Sequence, residues 1–360
     1  MKGRFLPSLR ILMTNREVET WTGTIIVLRD FALKYRERGH RPVVWAPRMG
    51  GTTVEEFERL GIEMVQSLSD LDAPPDVIHG HHNIPTALAL AAFPGVPAVL
   101  FCHGLMWFDL PLATPRVWRH AVVSRITQDH VKRNGGDPER IVFLPNAVDL
   151  RRFPSRDRPL PAKPQMAMAF TKTREQVPTI RNECIRRGMT FTAMGAGGEI
   201  GSWRPEEELL QQDIVFGIDR CAIEAACAGA AVVVGEAAGF AGMLTTRNFR
   251  ALRRANMGKP TLIRPFSTDL IAAEIDKYDP VDAAEVTRLM REDADLDKAA
   301  DRMEAMFADA LSAGFAAVWT EDDRRWLTAL LDFWPVPPSE RKEWRNARDE
   351  LEQAASRSVD

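Results

Sequence analysis

The feature that most limits the fold is an alternation of short apolar runs with segments of helical periodicity, interrupted once. Leu9 to Met13 (LRILM) suits a buried strand, and residues 25–40 (IIVLRDFALKYRERGH) carry apolar side chains at helical spacing up to a stop at Gly39. The pairing recurs through RPVVWAP and VEEFERLG, DVIHGH and TALALAAF, PAVLFCH, RHAVVS and RITQDHVKRNGG, and RIVFLPNAVD. Repetition of this kind predicts a parallel sheet covered on both faces. It breaks at 154–165, where PSRDRPLPAKPQ places four prolines among several charges, the composition of a linker. Alternation then resumes with MAMAF, VPTIRNECIRRG, TFTAMG, PEEELLQQ, DIVFG, RCAIEAACAG and AAVVVG. A chain of 360 residues is long for one core and suits two α/β domains. The expected division is an N-terminal domain over 1–155, a second over 165–315, and helices over 316–360 that cross back to the first domain. In that last stretch Trp326, Leu330 and Phe333 fall near one helical face.

Composition excludes several classes. With 45% hydrophobic and 27% charged residues the chain has the means to fold, and a net charge of −3 gives no global attraction for nucleic acid. The four cysteines, Cys102, Cys184, Cys221 and Cys227, form no CxxC pair and read as reduced, buried thiols. Ile84 to Cys102 is free of charge, but Pro94, Gly95 and Pro97 cut it into a buried helix and a buried strand, each too short to span a bilayer. The N-terminal MKGRFLPSLRILMTN is broken by Pro7 and Arg10 and lacks the apolar core of a signal peptide. The chain therefore reads as cytoplasmic, with no membrane association indicated.

Open parallel sheets bind ligands beyond the carboxyl ends of their strands, so two such domains are expected to face a cleft that holds the chemistry. Several residues occupy strand ends. Gly23, between Thr22 and Thr24, follows the first strand and reads either as a backbone approach to phosphate or acceptor, or as a plain turn. All seven histidines precede residue 131, so histidine chemistry must come from the first domain. His103 closes the strand PAVLFCH; His79 and His81 share a strand face and His82 points the other way. His81 reads as cleft lining, His40 as a surface residue, and the histidine group is not read as a metal site. Lys172 and Arg174 follow the first strand of the second domain and read as contacts to an anionic ligand or as a solvated loop. The glycines of Gly195 to Gly198, Gly197 among them, border a ligand or simply loosen the loop. Glu224 lies early in a helix of small residues (Ala225, Ala226, Ala228, Gly229) between two apolar runs. An unpaired carboxylate there is costly, so it is read as awaiting a polar ligand. Asp219 reads as a helix N-cap and Arg220 as a phosphate contact.

These segments carry a resemblance. RIVFLPNAVDLRRF is similar to the PNGVD segment closing the first domain of GT-B glycosyltransferases of the retaining family-4 type, and VVSRITQDHVKRNG to the strand and helix before it. W-T-G-T ahead of a helix ending in RERGH resembles that family's glycine loop, and IEAACAGAAVVV its nucleotide-sugar segment. The resemblance spans about residues 9 to 280. It implies a GT-B fold of two Rossmann-like domains and transfer of a hexose from a nucleoside-diphosphate sugar to an acceptor with retention. The nucleotide sugar is a co-substrate; no metal or organic cofactor is implied. It further implies that Glu224 holds the ribose, that Arg220, Arg174, Gly197 and Ala225 belong to the donor site, and that His103 and Lys172 are catalytic. Gly23, Thr22, Thr24 and His81 would lie on the acceptor side. The chain departs from the pattern at Phe216, where the family has an upstream glutamate, at Ala147 and Ala231 for its glycine and proline, and in AFTKTR, which shortens the segment supplying Arg and Lys. Three rival readings stand beside this one: a silent GT-B binding or scaffold protein, a nucleotide-sugar epimerase, and a hydrolase using the histidines to bind metal.

Overall fold

The protein is described here from a computed structural model, for residues 7–195, 198, 204–315, 320, 321 and 325. Gly197, Trp326, Leu330 and Phe333 lie outside the described residues, as does nearly all of 316–360. The chain divides into two compact units, one ending at Leu144 and resuming at Asp297, the other running from Pro145 to Leu296.

The first unit contains β1 (Arg10–Thr14), α1 (Gly23–Glu37), β2 (Arg41–Trp45), α2 (Gly51–Arg59), β3 (Glu63–Met64), β4 (Val77–His81), α3 (Asn83–Ala92), β5 (Ala98–Cys102), β6 (Val117–Val122), α4 (Arg125–Arg133) and β7 (Ile141–Phe143). The strands make one parallel sheet in the order β3-β2-β1-β4-β5-β6-β7. The order reverses between β1 and β4, which opens a crevice at their carboxyl ends. Side-chain parity then sorts the residues. Leu12, Ile78, Leu100 and Cys102 join the α3 face of the core, with Ala87, Leu88 and Ala91. His79 faces α1, its ring 5.2 Å from Phe31 and 5.8 Å from Tyr35. Gly80 lies on the α3 face against Thr86, where a Cβ would overlap the threonine side chain. Gly80→Ala is therefore expected to cost about 1–3 kcal/mol by overpacking, measured by denaturant unfolding; an unchanged midpoint would mean that α3 shifts freely.

The second unit contains β8 (Met166–Phe170), α5 (Val177–Arg186), β9 (Thr190–Met194), α6 (Pro205–Leu209), β10 (Ile214–Gly217), α7 (Asp219–Ala228), β11 (Ala231–Glu236), β12 (Gly239–Met243), α8 (Phe249–Arg254), α9 (Thr268–Ile275) and α10 (Pro280–Asp293). Its sheet has the order β12-β11-β10-β8-β9, parallel except for the antiparallel edge strand β12. Apolar layers cover both faces, α7, α8 and α10 on one side and α5 and α9 on the other.

The proline-rich stretch is not where the units part. Its Arg156 donates to Gln212 O at 3.0 Å and pairs with Asp213 at 3.2 Å, and its backbone N–H donates to Ala228 O. Arg291 of α10 donates to the carbonyls of Phe153 and Cys227. These bonds fasten residues 153–156 to the second unit, so a linker composition here marks a tethered strap. The return to the first unit comes at α11 (Leu296–Ala313), earlier than the expected 316. In α11 Leu296, Ala299, Ala300, Met303, Met306, Phe307 and Ala310 are buried, the three-and-four spacing of an amphipathic helix. Phe307 packs 5.8 Å from Tyr35 and 6.0 Å from His79. The buried ammonium of Lys34 meets Asp297 at 3.0 Å, and Arg38 meets Asp301 at 2.6 Å. His40 is buried, contrary to its surface reading: its Nδ1 accepts from Leu9 N–H at 3.1 Å, and Glu304 lies 3.5 Å from its Nε2.

Candidate active site

Two groups of polar side chains sit at strand carboxyl ends, one in each unit. In the first unit, β4 and β5 deliver His81 and His103 to the α1 face. His81 Nδ1 and His103 Nε2 are 2.8 Å apart. His79 lies behind, its ring 4.6 Å from that of His81, with the Tyr35 hydroxyl 3.1 Å from its Nδ1. Burial pushes the His79 imidazolium down to about 3 and that of His81 well below the usual range, with neighbouring histidines adding to the effect. His82 follows β4 with a φ of 66°, a conformation rare outside glycine. It accepts from the Arg16 N–H at 3.4 Å and meets the Phe108 ring edge-on at 4.7 Å. The loop after β5 is organised by Asp109, whose carboxylate accepts the His103 N–H at 3.0 Å. Burial lifts Asp109 to about 6, against the opposing pull of backbone N–H groups of His103, Gly104 and Met106.

Thr22 is the N-cap of α1, accepting from Ile25 N–H at 3.4 Å, and its hydroxyl lies 2.9 Å from that of Thr24. A Cβ on Gly23 would meet open space, and its φ is not in the left-handed range, so neither crowding nor backbone conformation demands glycine here.

In the second unit the strand ends of β8, β10 and β11 bring together Lys172, Asp219 and Glu236, with Lys259 from the segment after α8. Lys172 and Asp219 are 3.6 Å apart, Lys259 and Glu236 3.3 Å. The lysine side chains are 53% and 70% exposed, so both can reach an incoming anion. Desolvation, the largest single influence, works to lower the Lys172 ammonium, but Asp219, Cys221 and Glu236 together outweigh it and the net shift is upward. Burial raises the Asp219 carboxyl, with Lys172 opposing. Arg174 is exposed on the same loop, and Ala225 is fully buried inside α7.

Three readings from the sequence need correction. Glu224 does not await a ligand: it is 4% exposed and takes the Arg220 Nε–H at 2.6 Å. Arg220 is itself buried, and its Nη1 donates to Ala147 O at 3.1 Å, which turns it away from a phosphate role. The pair stands at the i,i+4 spacing that lets helical side chains meet. Asp219 is not the cap of α7; Ile218 holds that position, without a side-chain bond, and Asp219 is the first helical residue, at φ 50°. Sequence reasoning also missed Glu236, Lys259 and Asp109. The first two come together only through β11 and the loop after α8; a short apolar loop, HGLMWFD, was the one signal for Asp109. Among the described residues no three His, Cys, Asp or Glu side chains are grouped to hold a metal ion. No helix of the described residues is long and apolar enough to cross a membrane.

A seven-stranded parallel sheet and a smaller, mostly parallel one, each wrapped by helices, make this a GT-B glycosyltransferase fold. Comparison bears out the resemblance read from the sequence. Glycosyltransferase Family 4 matches residues 21–152. A glycosyltransferase from Rickettsia africae aligns over 85% of this chain and 99% of its own, at 12% identity and a TM-score of 0.58. Anabaena HepE, solved in complex with UDP-glucose, aligns over 85% of this chain and 100% of its own, at 16% identity and a TM-score of 0.58. The glycotransferase of kitacinnamycin aligns over 83% of this chain and 99% of its own, at 14% identity and a TM-score of 0.52. No curated protein sequence matches the chain.

Proposed function

We propose that the protein transfers a hexose from a nucleoside-diphosphate sugar to an acceptor hydroxyl, with retention. The observation that carries this reading is the lysine pair at the carboxyl edge of the second sheet. Lys172 and Lys259 stand beside the start of α7, whose backbone N–H groups favour negative charge. A diphosphate entering there would draw both ammonium groups from Asp219 and Glu236, and Arg174 lies on the same loop. As the glycosidic bond breaks, charge grows on the leaving diphosphate, and Lys172 would stabilise it where it develops. Glu224 takes a supporting part in this scheme: neutralised by Arg220, it fixes the turn that aims α7. On the first unit His103, His81 and the Thr22–Gly23–Thr24 loop would face the acceptor and the sugar. The scheme needs a nucleotide sugar and an acceptor, which is a glycan, a lipid or a small molecule.

HepE has been solved with UDP-glucose, so uridine diphosphate sugars head the panel to be tried. Calorimetry should find one nucleotide sugar that binds, and Lys172→Ala should weaken it by about 10–100-fold, the worth of one charged hydrogen bond. Failure of every nucleotide sugar and every free nucleoside diphosphate to bind would sink the proposal. The Arg220–Glu224 bond, which occupies the expected ribose ligand, favours a second reading, a binding protein without turnover. Binding without release of nucleoside diphosphate in the presence of acceptors would select it.

A further inference from the structure

The turn into α8 and the helix itself carry arginines on the side away from the core. Phe249, Leu252 and Arg253 are buried, while Arg247, Arg250 and Arg254 are exposed, at the three-and-four spacing that lines up one helical face. Other arginines of this region are paired. Arg253 meets Asp293 at 2.5 Å, Arg264 meets Glu274 at 2.6 Å, and Arg288 meets Glu285 at 2.7 Å and Glu292 at 3.0 Å. Arg247, Arg250 and Arg254 have no ion pair or hydrogen bond among the described residues. The nearby carboxylates are engaged elsewhere. Asp282 accepts the Thr246 N–H at 3.1 Å, Asp279 caps α10 through the N–H groups of Val281 and Asp282, and Glu274 takes Lys277 at 2.7 Å.

The stripe begins at a cavity of about 450 Å³, whose lining includes Arg247, Arg264, Lys277, Asp279 and Asp282. Ile263 and Val281 directly precede Arg264 and Asp282 in the chain. At 86% and 78% exposure they are the two most exposed large apolar side chains among the described residues. The cavity is remote from Lys172 and Asp219. β12 runs from Gly239, paired with Glu236, to Met243, paired with Val233, so the chain turns toward Arg247 on the amino-end side of the sheet. We infer that this face of the second unit is a docking surface for a bilayer of anionic phospholipid. Guanidinium groups stay charged and hold phosphate oxygens in a fork. Single aliphatic side chains standing out among cations suit the boundary between headgroups and acyl chains. A nucleic acid would need rings to stack on, but Phe249 is buried and Phe266 lies stacked on Phe240, 5.1 Å between centroids. The net charge of −3 conceals the surface, because attraction to a charged bilayer acts within a Debye length and is set by the local patch.

The test is flotation of the full-length protein with vesicles of phosphatidylcholine alone and of phosphatidylcholine mixed with phosphatidylglycerol. Binding is expected to the mixed vesicles only, and it should fall as salt is raised. Each cation at such a surface contributes about five-fold, so the triple variant Arg247→Gln, Arg250→Gln, Arg254→Gln should bind on the order of 100-fold more weakly. Ile263→Ser should weaken binding without altering its salt dependence. All four side chains are exposed, so both variants should unfold at the native midpoint, which denaturant unfolding checks. No uptake by mixed vesicles at low salt would overturn the inference, as would equal binding by the native protein and the triple variant. Retention on polyglutamate or RNA with no uptake by vesicles would overturn it too, in favour of an acidic polymer. The measurement needs no nucleotide sugar, so it stands or falls separately from the donor-binding experiment.

Discussion

Glu224→Ala should destabilise the protein by about 3–5 kcal/mol, the cost of leaving a buried guanidinium without its carboxylate. Arg220 and Glu224 are each 5% exposed or less and are joined at 2.6 Å inside α7. Removal of the acid takes away the counter-charge and opens space in the tightly packed Ala222–Ala226 segment. The double variant Arg220→Met, Glu224→Leu should recover most of that loss, because apolar residues of similar volume remove the desolvation cost of both charges. Chemical unfolding of the two variants is the measurement. If Glu224→Ala unfolds at the native midpoint yet abolishes nucleotide-sugar binding, the residue is a donor ligand and its pairing with Arg220 is incidental.

The second large effect is on acid stability. His79, His81, His82 and His120 are all held neutral by burial, His79 down to about 3 and His120 to about 4. In the unfolded chain each takes up a proton as pH falls through about 6.5. The unfolded state then binds more protons than the native state, so stability falls with pH, by about 1.4 kcal/mol per pH unit for each fully titrating histidine. Asp109 acts in the opposite sense. Its carboxyl is raised to about 6, so it gains stability as pH falls from there toward the ordinary aspartate range. Four imidazoles against one carboxyl give a net loss below pH 6.5 that continues to about pH 4. Unfolding midpoints between pH 7 and 4.5 should drop steeply, and His120→Phe should flatten the slope. A midpoint constant over that range would mean that these rings are protonated in the fold.

How much of this was legible in the sequence depends on the distance over which each feature is determined. Strand and helix periods are local, and the alternation gave both sheets and most of their elements. β12 is not legible because Gly239 and Gly242 leave the run GFAGM too weak in β-formers to stand out. The Arg220–Glu224 bond is legible, because the two lie four apart on one predicted helix, the spacing at which helical side chains meet. The histidine pair was not, since parity along β4 and β5 says which face His81 and His103 occupy, but only the register between the strands sets them side by side. Lys259 and Glu236 are further from reach still, joined by a loop whose course follows from packing. The proline-rich segment misled because composition reports how a segment travels and not what it is bonded to.

The excursion of the chain into the second unit has a consequence for biosynthesis. On the ribosome, the first seven strands emerge more than 150 residues before Phe307, an interval on the order of ten seconds at about 5–20 residues per second. Until α11 arrives, Tyr35 and His79 lack the Phe307 ring that packs on them and Lys34 lacks Asp297. The unit made first is thus completed last, and the unit in the middle is the one free to fold as soon as it leaves the exit tunnel.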